Sequence, residues 1–334
     1  MADAADELLG ALLKDVSRSF YLTLRALPGN IRPQIGLAYL LARTTDTIAD
    51  TQLVPLEQRL QALADLRGRI LGLRDGRLEF GELAGRQGSA SERVLLEKCE
   101  ASVAQLGRLS PADLQLVREV LNTIVGGQEL DLCRFANSSQ ENIVALGSEE
   151  ELDDYTYRVA GCVGEFWTKM CRAHVFPNAS LDDSSLLAKS ARFGKGLQLV
   201  NILRDLPADL RHGRCYLPRE RLRAGGLKPA ELLEPGSEGR LRPLLNSYLD
   251  LAEAHLMAGW DYTNALPRRA VRVRLACAWP ILIGMKTLQL LRAGNVLDDQ
   301  KRIKVGRGEV KTILLRSVLL YPLPKAWKRM ARQR

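Results

Sequence analysis

The chain has 334 residues, 46% of them hydrophobic, with a formal net charge of +9 and a pI near 9.4. That apolar content excludes a disordered chain, and the length allows either two average domains or one large helical one. The basic balance suits nucleic acid, an anionic membrane surface or phosphate-bearing substrates, without choosing among them. The six cysteines are scattered, with no CxxC and no histidine beside them. Neither a zinc site nor a disulfide framework is expected, and a reducing, cytoplasmic setting is.

Amphipathic helical periods recur from end to end and alternating strands are not seen, which predicts an all-α chain. Asp3, Asp6 and Glu7 precede any apolar run, unlike a signal peptide, and no stretch approaches the roughly 20 apolar residues of a spanning helix. Breaks are expected at Pro28–Asn30, around Gly85–Ser91, at Ala136–Ser139, Gly147–Ser148, Pro177–Asn178, Gly225–Gly226, Pro235–Gly236 and Gly294–Asn295. None is long enough for an interdomain linker, so one domain spanning residues 1–334 is expected.

The first stretch with chemistry follows Pro33, where ARTTDTIAD ends an apolar helix and sets Asp46 and Asp50 one turn apart. Alone, such a pair is a solvated face. With a second set elsewhere it becomes an oxygen site for magnesium, which is usually held by a few carboxylates and substrate phosphates. Arg18 in SRSF, and Arg43 three residues before Asp46, stand near as phosphate-gripping guanidinium groups. Next comes YTYRVAGCVGEFWTKM, in which Tyr155, Val159, Cys162, Phe166 and Met170 share one helical face. Its Gly161 and Gly164 would admit another backbone or a ligand, and aromatic faces there could stabilise a cation.

The densest polar pattern lies in FGKGLQLVNILRDLPADLRHGRCYLP, Phe193 to Pro218. Gln198, Asn201, Asp205 and Asp209 fall along one stripe of a helix that is apolar nearly all round. A buried carboxylate is costly unless paired or on a cation, so the stripe reads as the wall of a polar, metal-holding cavity. Pro207 should kink the helix between the two aspartates, Arg204 and Arg214 supply cations, and His212 is read as a loop residue. The C-terminal SVLLYPLPKAWKRMARQR, residues 318–334 with their approach, joins an apolar patch and Trp327 to Lys328, Arg329, Arg332 and Arg334. This suits peripheral contact with anionic lipid. No zinc-finger or RNA-recognition signature accompanies the charge, so nucleic acid is not an expected partner.

Together these stretches resemble the squalene/phytoene synthase family over most of the chain. Asp46 to Asp50 resembles its first DxxxD motif, YTYRVAGCVG its YxxxVAGxVG segment, and QLVNILRDLPADLRHGRCYLP its second aspartate motif followed by GRxYxP. SRSF and GGQELDL, Gly126 to Leu132, also match in order. The Asp-Thr opening of the first motif resembles the family's squalene-forming members, as opposed to its phytoene and dehydrosqualene enzymes. So do the LACAWP helix and RIKVGRGEVKT, in which Lys304 matches the leading lysine of a loop associated with NADPH. Gly306 stands where that loop's second basic residue is expected, and Arg307 follows.

The resemblance implies an isoprenoid synthase fold with helices around a deep central cavity, and a monomer or weak dimer. It implies magnesium held by Asp46, Asp50, Asp205 and Asp209 with Asn201. Ser17, Arg18, Phe20, Arg43, Gln198, Asn201, Arg204 and Arg214 would grip the diphosphates of two farnesyl diphosphates. Tyr39 and Tyr155 would serve the half reaction that forms a cyclopropyl diphosphate. Lys304 and Arg307, with Asn201, would hold NADPH for a reductive second half; phytoene or dehydrosqualene synthesis, which omits the reduction, is the rival.

Overall fold

The computed structural model describes residues 7–17, 20–298 and 300–332. Their secondary structure is helical throughout, apart from Val144–Ala145, which pairs in parallel with Arg214–Cys215. The chain forms two compact units, one of Met1–Cys133 and Phe166–Asn178, the other of Arg134–Glu165 and Ala179–Arg334.

In the first unit the helix Arg32–Asp50 starts where the Pro28–Asn30 turn ends, with the Arg32 N–H donating to Pro28 O at 3.1 Å. Pro33 sits in the first turn, where its missing N–H costs nothing. Leu37, Leu40, Leu41 and Ile48 bury this helix within the unit, against which Leu56–Leu71, Ala90–Glu97 and Cys99–Ala104 pack. Leu56–Leu71 stops at Gly72, whose φ of 73° is a left-handed cap that lets the Leu73 N–H reach Gly68 O at 2.9 Å.

The second unit is built on the helix Asp183–Arg211, capped at its start by the Asp182 carboxylate accepting from the Ser185 N–H at 3.0 Å. Against it pack Glu238–Ala265 and Val271–Ala293, and Arg307–Leu320 packs on Val271–Ala293. Their shared core includes Leu199, Leu203, Leu206, Leu210, Leu249, Leu256, Trp260 and Ile281. The helix does not stop at Pro207: it continues to Arg211, with Leu206 and Leu210 both buried in the core on either side. Asp205 and Asp209 therefore stand on one continuous helix.

Gly164, in the stretch Tyr155–Met170, has the use expected of it. A Cβ on Gly164 would lie 2.0 Å from Ser190 O, and one on Gly194 would lie 2.1 Å from Ala160 O. The two segments thus touch backbone to backbone. Between Glu149–Thr156 and Cys162–His174 the chain makes a π-helical turn, Tyr157–Gly161, which breaks the 3.6-residue register. Cys162, Phe166 and Met170 are deeply buried, whereas Tyr155 is half-buried and stacks on Tyr216.

Candidate functional site

Asp46 and Asp50 end the Arg32–Asp50 helix, where Thr44, Thr45 and Thr47 are buried around them. The Thr44 and Thr45 hydroxyls turn back onto their own helix, donating to Leu40 O at 2.9 Å and Ala42 O at 2.8 Å. Arg43 donates one arm to Asp46 Oδ2 and the other to Glu92 Oε1 at 2.5 Å. Burial, then the neighbouring Asp50 charge, push the Asp46 carboxyl up to about 6, against the pull of Arg43. Two like charges one turn apart hold one another's protons, and a divalent cation relieves that repulsion. Tyr39 stands one turn before Arg43 on the same helix.

The Ser17 hydroxyl of SRSF is buried without a hydrogen-bond partner among the described residues, and so are Thr47 Oγ1 and Gln128 Oε1 of the GGQELDL segment. Such orphaned groups mark places where a ligand or water completes the bonding. Arg18 lies outside the described residues. Phe20 begins the helix Phe20–Ala26, and its side chain likewise lies outside them.

In the second unit the helical period delivers the polar stripe as the sequence predicts. Gln198 Nε2 donates to the Tyr155 hydroxyl at 3.4 Å, and Asn201 Nδ2 to Gln198 Oε1 at 3.5 Å. Arg204 forks onto Asp205, with Nε donating to Oδ1 at 2.9 Å and Nη2 to Oδ2. Tyr155 stacks on Tyr216 with centroids 4.6 Å apart, and Phe135 meets Tyr216 edge-on at 5.3 Å. An aromatic wall thus begins where the amide end of the stripe stops. Arg214 lies over the Phe135 ring at 5.9 Å.

A two-residue strand aims this part of the wall. The Val144 N–H donates to Gly213 O at 2.9 Å and the Leu146 N–H to Cys215 O at 3.0 Å. Gly213 turns the chain at φ 75°, and a Cβ there would strike the Ser139 backbone at 2.4 Å. His212 caps the helix end with its ring against Ala208 O at 2.8 Å, which keeps it in the loop role expected.

The basic segment after Gly294 contributes a residue that the sequence reading passed over. Arg302 reaches Asp205 Oδ1 at 3.4 Å, so that Asp205 meets two guanidinium groups. Lys304 and Arg307 are exposed, the latter opening the helix Arg307–Leu320. Glu92, Tyr216 and Phe135 were also passed over. Their only local signal is position: Tyr216 sits in GRCYLP, Glu92 is an ordinary residue of the helix Ala90–Glu97 and Phe135 lies in the turn after Arg134, until the fold sets them beside Arg43 and Arg214. Among the described residues no three His, Cys, Asp or Glu side chains converge on one point. The aspartates divide two to each unit, so any one pair offers a cation two carboxylates.

Trp327 is a correction. Expected on a lipid-facing tail, it is 2% exposed, stacked on Trp260 at 5.1 Å, with its Nε1–H donating to Asn264 Oδ1 at 2.9 Å. Burying its ring area against aromatic neighbours outweighs any surface role.

Comparison with known proteins bears on what this helical architecture is. The structure of TcSQS in complex with the ligand BPH1237 matches with a TM-score of 0.78 at 22% identity, over 99% of this chain and 89% of that one. The fold is therefore the all-α fold of that structure. Squalene synthase ERG9 of Saccharomyces cerevisiae is 24% identical over 307 residues, 92% of this chain and 66% of that protein. Presqualene diphosphate synthase of Rhodopseudomonas palustris is 28% identical over 305 residues, 90% of this chain and 93% of that protein. The chain thus spans just under two thirds of the yeast protein's length. A model of the squalene/phytoene synthase family matches residues 13–309, and the chain belongs to that family.

Proposed function

We propose that the chain joins two farnesyl diphosphates head to head into a cyclopropyl diphosphate and then reduces that intermediate to squalene. The observation that carries this reading is the Gln198–Asn201–Asp205–Asp209 stripe, whose Asp205 meets Arg204 and Arg302 while its other end meets the Tyr155–Tyr216–Phe135 wall. Polar groups that grip a diphosphate stand beside aromatic faces that suit a cationic hydrocarbon.

The donor set is all oxygen: Asp46 with Asp50, and Asp205 with Asp209 and Asn201. It suits magnesium, which keeps waters and takes few protein carboxylates, and the raised Asp46 fits a pair that awaits a cation. Bound there, magnesium would neutralise the charge of a leaving diphosphate. Arg43, Arg204 and Arg214, with Ser17, Arg18, Phe20 and Gln198 at its margins, would orient the diphosphates. One allylic C–O bond breaks, the alkene of the second farnesyl chain attacks the cation, and a proton leaves as the three-membered ring closes. Tyr39 and Tyr155 are the residues proposed to serve this half. Exclusion of water by the apolar wall protects each cation.

Arg302, Lys304 and Arg307 place three cations on one short segment, a set suited to the phosphates of NADPH, with Asn201 as a further contact. That cofactor would supply the hydride that replaces the second diphosphate. A second reading, a chain that stops at the cyclopropyl diphosphate, is favoured by the printed name of the Rhodopseudomonas palustris relative, which matches this chain over nearly its whole length.

The test is product analysis by mass spectrometry after incubation with magnesium and farnesyl or geranylgeranyl diphosphate, with and without NADPH. Squalene that forms only with NADPH is the expected result. The cyclopropyl diphosphate alone under every condition selects the second reading. Phytoene or dehydrosqualene overturns the reductive half, and no C30 or C40 product overturns both.

A further inference from the structure

Under the proposed function Arg214 grips a diphosphate, and its main chain is fixed from both sides. The Gly213 and Cys215 carbonyls that flank it accept the Val144 and Leu146 N–H groups at 2.9 and 3.0 Å, and the Arg219 N–H returns to Leu146 O at 2.7 Å. The turn that leads to Val144 is closed by Ser139 and Asn142, whose N–H groups each donate to the other's carbonyl at 3.1 Å, and the Ser138 hydroxyl donates to His212 O at 3.3 Å. These bonds leave the Arg214 side chain unset. It is a long arm that loses rotamer freedom whenever it must hold one aim.

Phe135 supplies that aim. Arg214 and Tyr216, two residues apart, both meet its ring, as alternation along a strand allows. The guanidinium lies over the ring at 5.9 Å, and Tyr216 meets it edge-on at 5.3 Å. The Phe135 ring is itself held, being 5% exposed, and Tyr216 is fixed in turn by stacking on Tyr155 at 4.6 Å. Burial alone does not call for phenylalanine here. Any apolar side chain would fill the space, but only a ring offers a negative face to a guanidinium. The place matters as well: burial and, after it, the Asp209 charge push the Cys215 thiol up, so Asp209 lies close to the strand that carries Arg214.

We infer that Phe135 is a positioning residue for the diphosphate site, its ring holding the Arg214 guanidinium in place before a diphosphate arrives. Less rotamer freedom is then lost on binding. The inference rests on the proposed grip of Arg214 on a diphosphate. The ring serves binding and not the chemical step, so its loss belongs in KM and not in kcat.

The experiment is calorimetric titration of the full chain with magnesium pyrophosphate, which needs no turnover, beside kcat and KM for farnesyl diphosphate. Phe135→Leu and Phe135→Met should each weaken pyrophosphate binding and raise KM about fivefold, with kcat within about twofold of wild type. Methionine keeps most of the ring's volume, so the test stands even where leucine leaves a gap, and circular dichroism and the urea midpoint check the fold of each. In an Arg214→Gln background the same substitutions should change binding by less than about twofold. Phe135 variants that bind pyrophosphate as tightly as wild type, while Arg214→Gln weakens it, overturn the inference and leave the diphosphate grip standing. Arg214→Gln that binds as wild type overturns both. A loss from Phe135→Met that persists undiminished without Arg214 overturns the inference and assigns the ring to core packing.

Discussion

Gly164→Ala tests the backbone contact on which the second unit's site depends. The added Cβ would lie 2.0 Å from Ser190 O and 2.5 Å from Ser190 C, where ordinary contact begins near 3.4 Å. The obstacle is helix backbone, which cannot rotate away as a side chain can. Accommodation requires the two segments to part by roughly 1 Å, against a core close-packed around Leu199 and Leu203. Overpacking of this kind costs about 3 kcal/mol. With a urea slope near 3 kcal/mol/M, the midpoint should fall by about 1 M. The same parting stretches the 3.4 Å Gln198–Tyr155 contact, and a misplacement of that size should cost on the order of 100-fold in product formation. Gly239→Ala, where a Cβ meets nothing within 4 Å, is the control and should stay within about 0.5 kcal/mol of wild type. If Gly164→Ala also stays within that range, the close approach is not as described.

Glu92→Gln leaves Arg43 with Asp46 as its one strong carboxylate partner, and kcat/KM should fall about tenfold with an unchanged circular dichroism spectrum; full activity would show that Glu92 positions nothing. Because the Asp46 carboxyl is pushed up to about 6, magnesium must displace its proton at low pH, so the apparent magnesium affinity should weaken progressively as pH drops from 7 to 5, and a flat titration would remove Asp46 from the metal. His255 accepts a hydrogen bond from Arg192 Nε at 3.3 Å, and burial, then Arg192 and Lys195, lower its pKa to about 4. The unfolded chain therefore binds the extra proton between about 6.5 and 4, and stability present above that window is lost as pH falls through it, by about 1–2 kcal/mol after solvent screening. His255→Gln should flatten that part of the urea-midpoint profile, and an identical acid limb would refute the assignment.

What the sequence disclosed follows from which interactions are local. The stripe of Gln198, Asn201, Asp205 and Asp209 was legible because helical geometry alone sets it. The Asp46–Asp50 pair and the close approach at Gly164 were legible for similar reasons, since a turn spacing or a missing Cβ is written at the residue itself. Pro207 was legible as a missing donor, and the helix runs on through it to Arg211 with Leu206 and Leu210 buried on either side. The π turn at Tyr157–Gly161 has no signature in a 3.6-residue pattern, and strands of two residues are too short to alternate. Trp327 and Arg302 show the larger gap. A tryptophan between a proline and a run of cations looks like a surface anchor until Trp260, far back in the chain, supplies a ring to stack on. The basic segment pointed to Lys304 and Arg307, yet it is Arg302 that reaches Asp205, a pairing across 97 positions that no local pattern encodes.

The same pairing suggests how the site handles charge. In each unit the leading aspartate is held by an arginine of its own helix, Arg43 on Asp46 and Arg204 on Asp205. Such a pair does little for stability, since desolvation offsets most of its attraction. Its value would lie in exchange. When a diphosphate arrives with its cation, the carboxylate can turn to the cation and the guanidinium to the phosphate, so two opposite charges are traded for two others without leaving any buried charge alone. Arg302 extends the logic: exposed and reaching Asp205 from a different segment, it can follow the phosphate while Arg204 stays on the helix. Under the proposed function the arginines next to the aspartates would be the half of the site that serves the leaving group.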